Sequence, residues 1–374
     1  VYVSRKYSRV KAAYSACCKR VRPFSMASTS TSNKRPREPL LQSSTTPLAP
    51  RTYCLLISGT MNPPHAGHIR LGLKAALNLE AEGHAVSAIC YLPVHDNYLC
   101  NKVTLKRAGG KAVSVPDSIA FPMKERCALL RSLLELEREA AGALAERCHV
   151  LDYEHSSGDA ALLAESPGYW APKLPDGYLK TVPTTSLISH FAAHSPLLQP
   201  ETEGGARPRL GVVFGVDNLA GMASWNSPEN LLADADLILL AREMPRVVFG
   251  RDPFGLLGAL KHVEVRAAVP VVYEETELFG GVTGSFVHEG ASGEGALFLL
   301  PPLDGKDEEL SSTRIRNAIG EKSEGAAHPT AFNATLAKHG FKEDSFGRLL
   351  EVATNEAVDE MVARGRARGE FVAS

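Results

Sequence analysis

From about residue 52 onward, apolar residues occur in short continuous runs separated by stretches with helical spacing. Four runs are long enough to predict buried strands: "YCLLIS" (Tyr53–Ser58), "VSAICYL" (Val86–Leu92), "LGVVFGV" (Leu210–Val216) and "DLILLA" (Asp236–Ala241). Three shorter runs predict further strands: "HVLDY" (His149–Tyr153), "HVEV" (His262–Val265) and "ALFLL" (Ala296–Leu300). Runs that are apolar throughout are typical of parallel strands whose two faces are both covered.

Helical spacing fills the intervals between these runs. The segment after the first strand predicts a helix with one apolar face, made of Ile69, Leu73, Ala76 and Leu77. Further amphipathic helices are predicted at Met123–Glu139, Thr184–His194 and residues 347–368. This alternation predicts an α/β fold with a doubly wound, Rossmann-like parallel sheet, followed by C-terminal helices within residues 325–370. In such sheets ligands bind beyond the carboxyl ends of the strands, so the residues after each strand are the candidates for function.

The composition narrows the class of protein. The 374 residues are 44% hydrophobic and 22% charged, which is enough apolar material for a large core and excludes disorder of the whole chain. The formal net charge of −1 gives no global field for a nucleic acid or a membrane surface, and a homo-oligomer is left open. No apolar run reaches about 18 residues, so we expect no membrane-spanning helix. The seven cysteines include no CxxC pair, which indicates a reducing compartment and not a disulfide framework or a structural zinc site.

The first 50 residues differ from the rest of the chain. They contain ten Lys or Arg but a single acid, Glu38, and they are rich in Ser, Thr and Pro. We therefore predict a disordered, dispensable leader at 1–50, followed by one folded domain at 51–374 with its core at 52–320. The expected localisation is cytoplasmic. The run "NKRPRE" (Asn33–Glu38) makes a nuclear location the alternative, and organelle targeting follows only if residues 1–25 are a genuine leader.

The loop after the first strand is the first candidate for chemistry. It reads "SGTMNPPHAGHIRLG" (Ser58–Gly72), and Gly59 allows a sharp turn close to a ligand. His65 and His68 are three residues apart, so both fit on one face of the first helical turn. The free N–H groups of that helix end attract anions, and two imidazoles beside them suit a phosphate. The alternative interpretation is a capping turn with two surface histidines.

A second candidate lies near the C-terminus, in "ELSSTRIRNAI" (Glu309–Ile319). One of Ser311, Ser312 and Thr313 is expected to cap a helix whose first turn carries Arg314 and Arg316. Hydroxyls, free amides and guanidinium groups at one helix end are suited to a polyphosphate. Taken alone, the segment is also explained as an ordinary capped helix.

Together, HxGH after the first strand and SSTxxR near the end resemble the nucleotidyltransferase superfamily of adenylyl- and cytidylyltransferases. Three intermediate segments resemble elements of the eukaryotic nicotinamide/nicotinate mononucleotide adenylyltransferases: "LPVHDNY" (Leu92–Tyr98), "FGVD" (Phe214–Asp217) and "LLAR" (Leu239–Arg242). The resemblance covers roughly Tyr53 to Ile319. It implies a fold of the nucleotidyltransferase type. It also implies an enzyme that transfers the adenylyl group of ATP to nicotinamide mononucleotide or nicotinate mononucleotide, with Mg²⁺ held mainly by ATP phosphates and water.

The resemblance also implies roles for individual residues. The catalytic residues would be His65, His68 and Arg316. The ATP and its phosphates would be bound by Gly59, Thr60, His68, Lys102, Gly215, Asp217, Ser312, Thr313, Arg314 and Arg316. The mononucleotide would be bound by Thr60, Met61, Tyr178, Thr181, Trp225 and Arg242, with the pyridine ring stacked between Tyr178 and Trp225. No protein metal site is implied.

Several features depart from the family pattern. Leu99, Cys100 and Asn101 precede Lys102, where the family has lysines directly after "PVxDxY". Residues 103–121 resemble an insertion, residues 243–295 exceed what a compact core needs, and the glycine-rich part at 278–296 is predicted to be a loop. Five histidines are expected at the surface: His84, His149, His190, His194 and His262. Two acids, Asp234 and Asp236, are expected in a turn.

Two other functions stay open at this point. One is another transferase of the same superfamily, acting on phosphopantetheine or a cytidylyl acceptor. The other is a nucleotide-binding regulator without turnover.

Overall fold

The computed structural model describes residues 41–44, 50–108, 119–152, 178–179, 181–200, 205–215, 218, 231, 234–240, 247–249, 264–267, 271–273, 284–288, 296–300, 310–323, 325, 328–353, 356–369 and 371–372. The chain divides after Glu38, and all of these residues belong to the unit Pro39–Ser374. The boundary of the folded domain at residue 51 stays a prediction.

The strands have the following bounds: β1 Leu41–Ser44, β2 Thr52–Gly59, β3 Ala85–Pro93, β4 Cys148–Val150, β5 Tyr178–Leu179, β6 Arg209–Gly215, β7 Asp236–Leu240, β8 Val247–Phe249, β9 Glu264–Ala267, β10 Val271–Tyr273, β11 Gly284–His288, β12 Ala296–Leu300 and β13 Phe371–Val372. The helices are α1 Ala66–Ala81, α2 Asp96–Ala108, α3 Met123–Ala141, α4 Thr184–His194, α5 Ser312–Ser323, α6 Pro329–Lys338, α7 Phe346–Val352 and α8 Glu356–Ala367. Short 3₁₀ turns lie at Gly142–Arg147, Pro196–Leu198 and Glu343–Ser345.

The main sheet confirms the predicted fold class. Its order is β1-β11-β9-β12-β7-β6-β2-β3-β4 in the described part of the chain, and pairing is parallel from β9 through to β4. Counting β2, β3, β4, β6, β7 and β12 in chain order gives the sequence 3-2-1-4-5-6, which is the order of a Rossmann sheet. The strand order therefore reverses between β2 and β6, where ligands bind in such sheets.

The central strand and the first helix pack closely. Residues Tyr53–Leu56 of β2 are fully buried. The helix α1 approaches the sheet at Gly72, where an added Cβ would lie only 2.7 Å from the hydroxyl of Tyr91. That hydroxyl donates to the carbonyl of Ile69 in the same helix at 2.8 Å. The close approach fixes the N-terminus of α1 relative to the carboxyl end of β2.

A second, smaller core lies beside α2. Its buried residues come from four segments: Leu99, Cys100, Val103, Ala120, Leu179, Val358 and Met361. The C-terminal helix α8 contacts both α2 and β5 through this core. The cluster supports the segments that follow β3 and β5.

Several sequence predictions about these elements are wrong. Residues 347–368 form two helices, α7 and α8, because Leu349 packs into the main core and Val358 into the second core. In α1, Ile69 is buried but Leu77 is 55% exposed. The interpretation of residues 103–121 as an insertion stays a prediction; this range begins inside α2, and Ile119 near its end is buried.

Strands also occur where none was predicted. The glycine-rich part at 278–296 contains β11, and β8 and β10 lie elsewhere in 243–295, whereas β9 overlaps the strand predicted at His262–Val265. β1 lies within the predicted leader and pairs antiparallel with β11. No helix in the described ranges is long and apolar enough to span a membrane.

The amino ends of the central strands are joined by a buried charge network. Asp236, the first residue of β7, is fully buried and accepts hydrogen bonds from Tyr53 at 2.7 Å, Arg51 at 2.7 Å and Arg209 at 3.0 Å. His84 is also buried, and its Nδ1 accepts from the backbone N–H of Arg51 at 3.2 Å. The expectation of a turn for Asp236 and of a surface site for His84 is therefore wrong. Burial together with the Asp236 carboxylate raises the pKa of Tyr53 far above its ordinary value.

Candidate active site

A cleft of about 290 Å³ opens at the carboxyl ends of β2, β3 and β6, at the switch point of the sheet. Its walls come from the ends of these strands, from α2 and from the segment that leads into α4. Four residues of the predicted site line it: Gly59, Thr60, Lys102 and Thr181. The described lining includes Lys102 and His95 but no carboxylate, so this part of the wall is suited to an anion.

The two histidines of the HxGH motif lie together at the start of α1. His65 occupies the N-cap position with extended backbone, and its N–H donates to Nδ1 of His68 at 3.1 Å. The ring centroids are 4.0 Å apart. Because Nδ1 of His68 accepts this bond, the neutral ring carries its proton on Nε2 and presents a donor on its other side.

Gly67 explains the spacing of the motif. A Cβ at this position would lie 2.9 Å from Nδ1 of His65 and 3.3 Å from Cβ of Leu310. Leu310 is the buried residue that precedes α5. Glycine therefore allows the His65 ring and Leu310 to pack against the start of α1, whereas any larger residue at this position would displace one of them.

The second motif contacts the first loop directly. The Ser312 hydroxyl donates to the carbonyl of Pro63 at 2.8 Å, across 249 residues of sequence. The Arg316 guanidinium donates to the carbonyl of Asn62 at 2.5 Å and to the Thr313 hydroxyl at 3.2 Å. These bonds bring the N-termini of α1 and α5 to the same loop, so the two candidate motifs of the sequence lie side by side.

The cap of α5 can now be assigned. The Ser311 hydroxyl accepts from the backbone N–H of Thr313 at 3.2 Å, so Ser311 is the capping residue among the three candidates. Thr313 and Arg314 in the first turn are exposed.

His339 is a third histidine at this place, and sequence reasoning missed it. Its carbonyl accepts from the N–H of Ala66 at 3.1 Å, which satisfies the first amide of α1. Its ring lies 6.0 Å from that of His65, and its Nδ1 donates to the Thr335 carbonyl at 2.7 Å. The side chain is 1% exposed, and burial lowers its pKa below the ordinary value, with the nearby charge of Arg314 acting in the same direction.

Asn101 fixes the wall that carries Thr181. Its side-chain amide donates to the Leu179 carbonyl at 2.7 Å and accepts from the Leu179 N–H at 3.1 Å. Asn101 stands in the region where the resembling family has lysines, and here it holds β5 against α2. The next residue, Lys102, is exposed and reaches the cleft.

The remaining predicted residues divide into two groups. Met61 is 1% exposed and packs into the main core, so it can meet a ligand only through its backbone. Its φ of 43° is unusual for a residue with a side chain and holds the loop in a strained turn. Gly215 lies buried at the end of β6. Asp217, Trp225, Arg242 and the side chain of Tyr178 lie outside the described residues, and all assigned roles stay predictions.

Arg126 is the other residue that sequence reasoning missed. It is fully buried at the start of α3, and it donates to three backbone carbonyls and to the Asp96 carboxylate. A signal was present in the sequence, because Arg126 lies four residues before Leu130 and therefore on the apolar face of the helix.

No group of three or more His, Cys, Asp or Glu in the described ranges could hold a metal ion.

No family model and no curated protein matches this chain. Among solved structures, it is similar to the nicotinic acid mononucleotide adenylyltransferase of Plasmodium falciparum complexed with APC, with 12% identity and a TM-score of 0.37, over 76% of this chain and 93% of that one. The same protein complexed with NaAD gives 13% identity and a TM-score of 0.36 over the same shares. A protein from Vibrio parahaemolyticus assigned as a nicotinate-nucleotide adenylyltransferase gives 14% and 0.29, over 52% of this chain and 76% of that one. Similarity at these values leaves the function to be inferred from the side chains of this chain.

Proposed function

We propose that this protein transfers the adenylyl group of ATP to nicotinamide mononucleotide or nicotinate mononucleotide, and releases pyrophosphate with NAD or deamido-NAD. One observation carries the proposal: the N-termini of α1 and α5 meet at the loop beside the cleft, through Ser312 on Pro63 and Arg316 on Asn62. Each helix end carries a partial positive charge that attracts an anion. Two such ends with histidine and arginine side chains suit a triphosphate and a second phosphate close to it.

The reaction needs little from the protein except position and charge. A 5′-phosphate oxygen of the mononucleotide forms a bond to the α-phosphorus of ATP, and the bond from that phosphorus to the bridging oxygen breaks. Pyrophosphate leaves with the electron pair. The attacking oxygen is already anionic, so no general base is required, and catalysis consists of alignment and stabilisation of the growing negative charge.

We assign that stabilisation to the HxGH pair and to Arg316. The Nε2 proton of His68 points away from the cap of α1 and is the donor for an α- or β-phosphate oxygen. His65 lies against it, and Arg316 would hold the departing pyrophosphate with Ser312, Thr313 and Arg314. Magnesium would arrive as MgATP, with phosphates and waters as its ligands.

The mononucleotide would occupy the cleft. Thr60, the backbone of Met61 and Lys102 are proposed to bind its phosphate, and Thr181 its pyridine substituent. The resemblance adds Arg242 to this site, and it places the ring between Tyr178 and Trp225 and the ATP ribose near Gly215 and Asp217.

The test is a coupled assay for NAD formation with MgATP and each mononucleotide in turn. We expect product and an equal amount of pyrophosphate with at least one of them. Activity with CTP or phosphopantetheine, and none with either mononucleotide, would assign the chain to another transferase class. Tight ATP binding with no pyrophosphate from any acceptor would make it a nucleotide-binding regulator.

A further inference from the structure

The buried guanidinium of Arg126 connects three segments around the cleft. It donates to the carbonyls of Phe121 at 2.9 Å, Thr60 at 2.8 Å and Val94 at 2.7 Å, and to the Asp96 carboxylate at 2.7 Å. Thr60 follows β2 and Val94 follows β3, and both line the cleft. One side chain therefore sets the relative position of the two loops that form this end of the site.

These bonds also determine which way two peptide groups face. In a trans peptide the carbonyl and the following N–H point in opposite directions. With the Thr60 carbonyl turned toward Arg126, the N–H of Met61 points away from Arg126 within the same peptide plane. The same holds for the Val94 carbonyl and the N–H of His95. Met61, which follows the oriented peptide group of Thr60, has the strained φ of 43°.

Building on the proposed function, we propose that Arg126 is a positioning residue that, paired with Asp96, orients the N–H groups of Met61 and His95 toward the phosphate of the bound mononucleotide. Arg126 does not touch substrate, because it is fully buried behind both loops. Asp96 neutralises it and also accepts from the N–H of Met123 at 2.7 Å, which ties α3 to the same point.

An arginine is required at this position. Four acceptors surround the planar guanidinium, which has five N–H donors in a fixed geometry. A lysine ammonium offers three donors from one atom and cannot reach acceptors on several sides at once. Arg126→Lys is therefore not a conservative change here.

The experiment separates orientation from folding with two variants. Arg126→Met alone leaves the Asp96 carboxylate buried and unpaired, which destabilises the fold. The double variant Arg126→Met with Asp96→Asn removes both charges and keeps an acceptor for Met123. The control is Arg138→Met in the same helix, because Arg138 is exposed and pairs only with exposed Glu135 and Glu146 among the described residues.

We expect the double variant to melt at a higher temperature than Arg126→Met, while its KM for the mononucleotide remains raised about tenfold or more. The KM for ATP should change less, and Arg138→Met should match the wild type in every measurement. A double variant with the wild-type mononucleotide KM would overturn the proposal, because the effect of Arg126 would then be structural only.

A calorimetric titration with the mononucleotide makes the result independent of turnover. If the wild type forms no product, the proposed function fails, and the positioning role is judged by affinity alone. About tenfold weaker binding by the double variant supports the role of Arg126. Equal affinity, or no binding by the wild type, overturns it.

Discussion

The two ends of the central strands use buried polar groups in opposite ways. At the amino ends, the buried carboxylate of Asp236 accepts from Tyr53, Arg51 and Arg209. At the carboxyl ends, Arg126 donates into backbone carbonyls behind the cleft, while Lys102 remains exposed at its wall.

The difference shows what distinguishes a stabilising network from a binding site. Both ends bury an ionised group with several hydrogen bonds. At the amino ends the hydrogen bonds join side chains of neighbouring strands. At the carboxyl ends the bonds of Arg126 hold the backbone of Thr60 and Val94, which line the cleft. The number of charges therefore does not distinguish the stabilising network from the binding site. What distinguishes them is whether the groups held by the buried hydrogen bonds also face a cleft.

Asp236→Ala should have the largest effect, and on stability alone. It leaves the buried Tyr53 hydroxyl and two partly buried arginines without their shared acceptor, which should lower the free energy of unfolding by about 3 kcal/mol. Urea denaturation measures this. The kcat at 25 °C should equal that of the wild type, because Asp236 lies at the amino ends of the strands and the cleft lies at their carboxyl ends. Glu360→Ala, at an exposed acid, is the control and should change neither quantity.

His68→Ala should have the next largest effect, on turnover. Loss of a donor to the transition state should lower kcat by about 100-fold while ATP still binds. The change also removes the acceptor for the His65 N–H, so His68→Asn is the matched variant that can keep this acceptor but lacks Nε2. Steady-state kinetics on both variants should show the same loss. Full turnover by either one would contradict the assigned role.

Lys102→Gln should have a moderate effect, on binding. Removing an exposed cation from the wall should raise the KM of the phosphate-bearing substrates by about tenfold at low ionic strength. Added salt should reduce the difference from the wild type, because it screens an exposed charge. Lys124→Gln, at an exposed position in the first turn of α3 that does not line the cleft, should behave as the wild type. A KM that stays unchanged would remove Lys102 from the phosphate site.

His339→Asn should have the smallest effect, on the pH dependence of stability. The folded pKa of His339 is lowered by burial, so the folded protein binds a proton less readily than the unfolded chain. The contribution of neutral His339 to the free energy of unfolding is therefore complete above pH 6.5, and it is lost as the pH falls below that value. Asn can donate to the Thr335 carbonyl but does not titrate. The melting temperature of the His339→Asn variant should fall less than that of the wild type between pH 7 and pH 5. Parallel plots of melting temperature against pH for the two proteins would contradict this prediction.

The sequence predicted the strands that carry the site because their apolar runs are continuous. It predicted Thr184–His194 with its observed bounds, and it found both phosphate-binding candidates from glycine, capping and histidine spacing. It missed α2, because "DNYLCNKVTLKRA" is polar overall and its apolar side faces a small second core. It also missed the roles of Asp236 and Arg126. A charged residue next to a buried strand or helix resembles a solvated one until its distant partners are known, here Arg51 and Asp96.

The second core between α2, β5 and α8 has a consequence for motion. Segments with their own small set of buried contacts open as separate cooperative units, at a lower free energy than the central strands. The amides of Leu99–Val103 should therefore exchange with solvent before those of β2. A wall of the cleft that opens in this way can admit and release a ligand while the central strands stay paired.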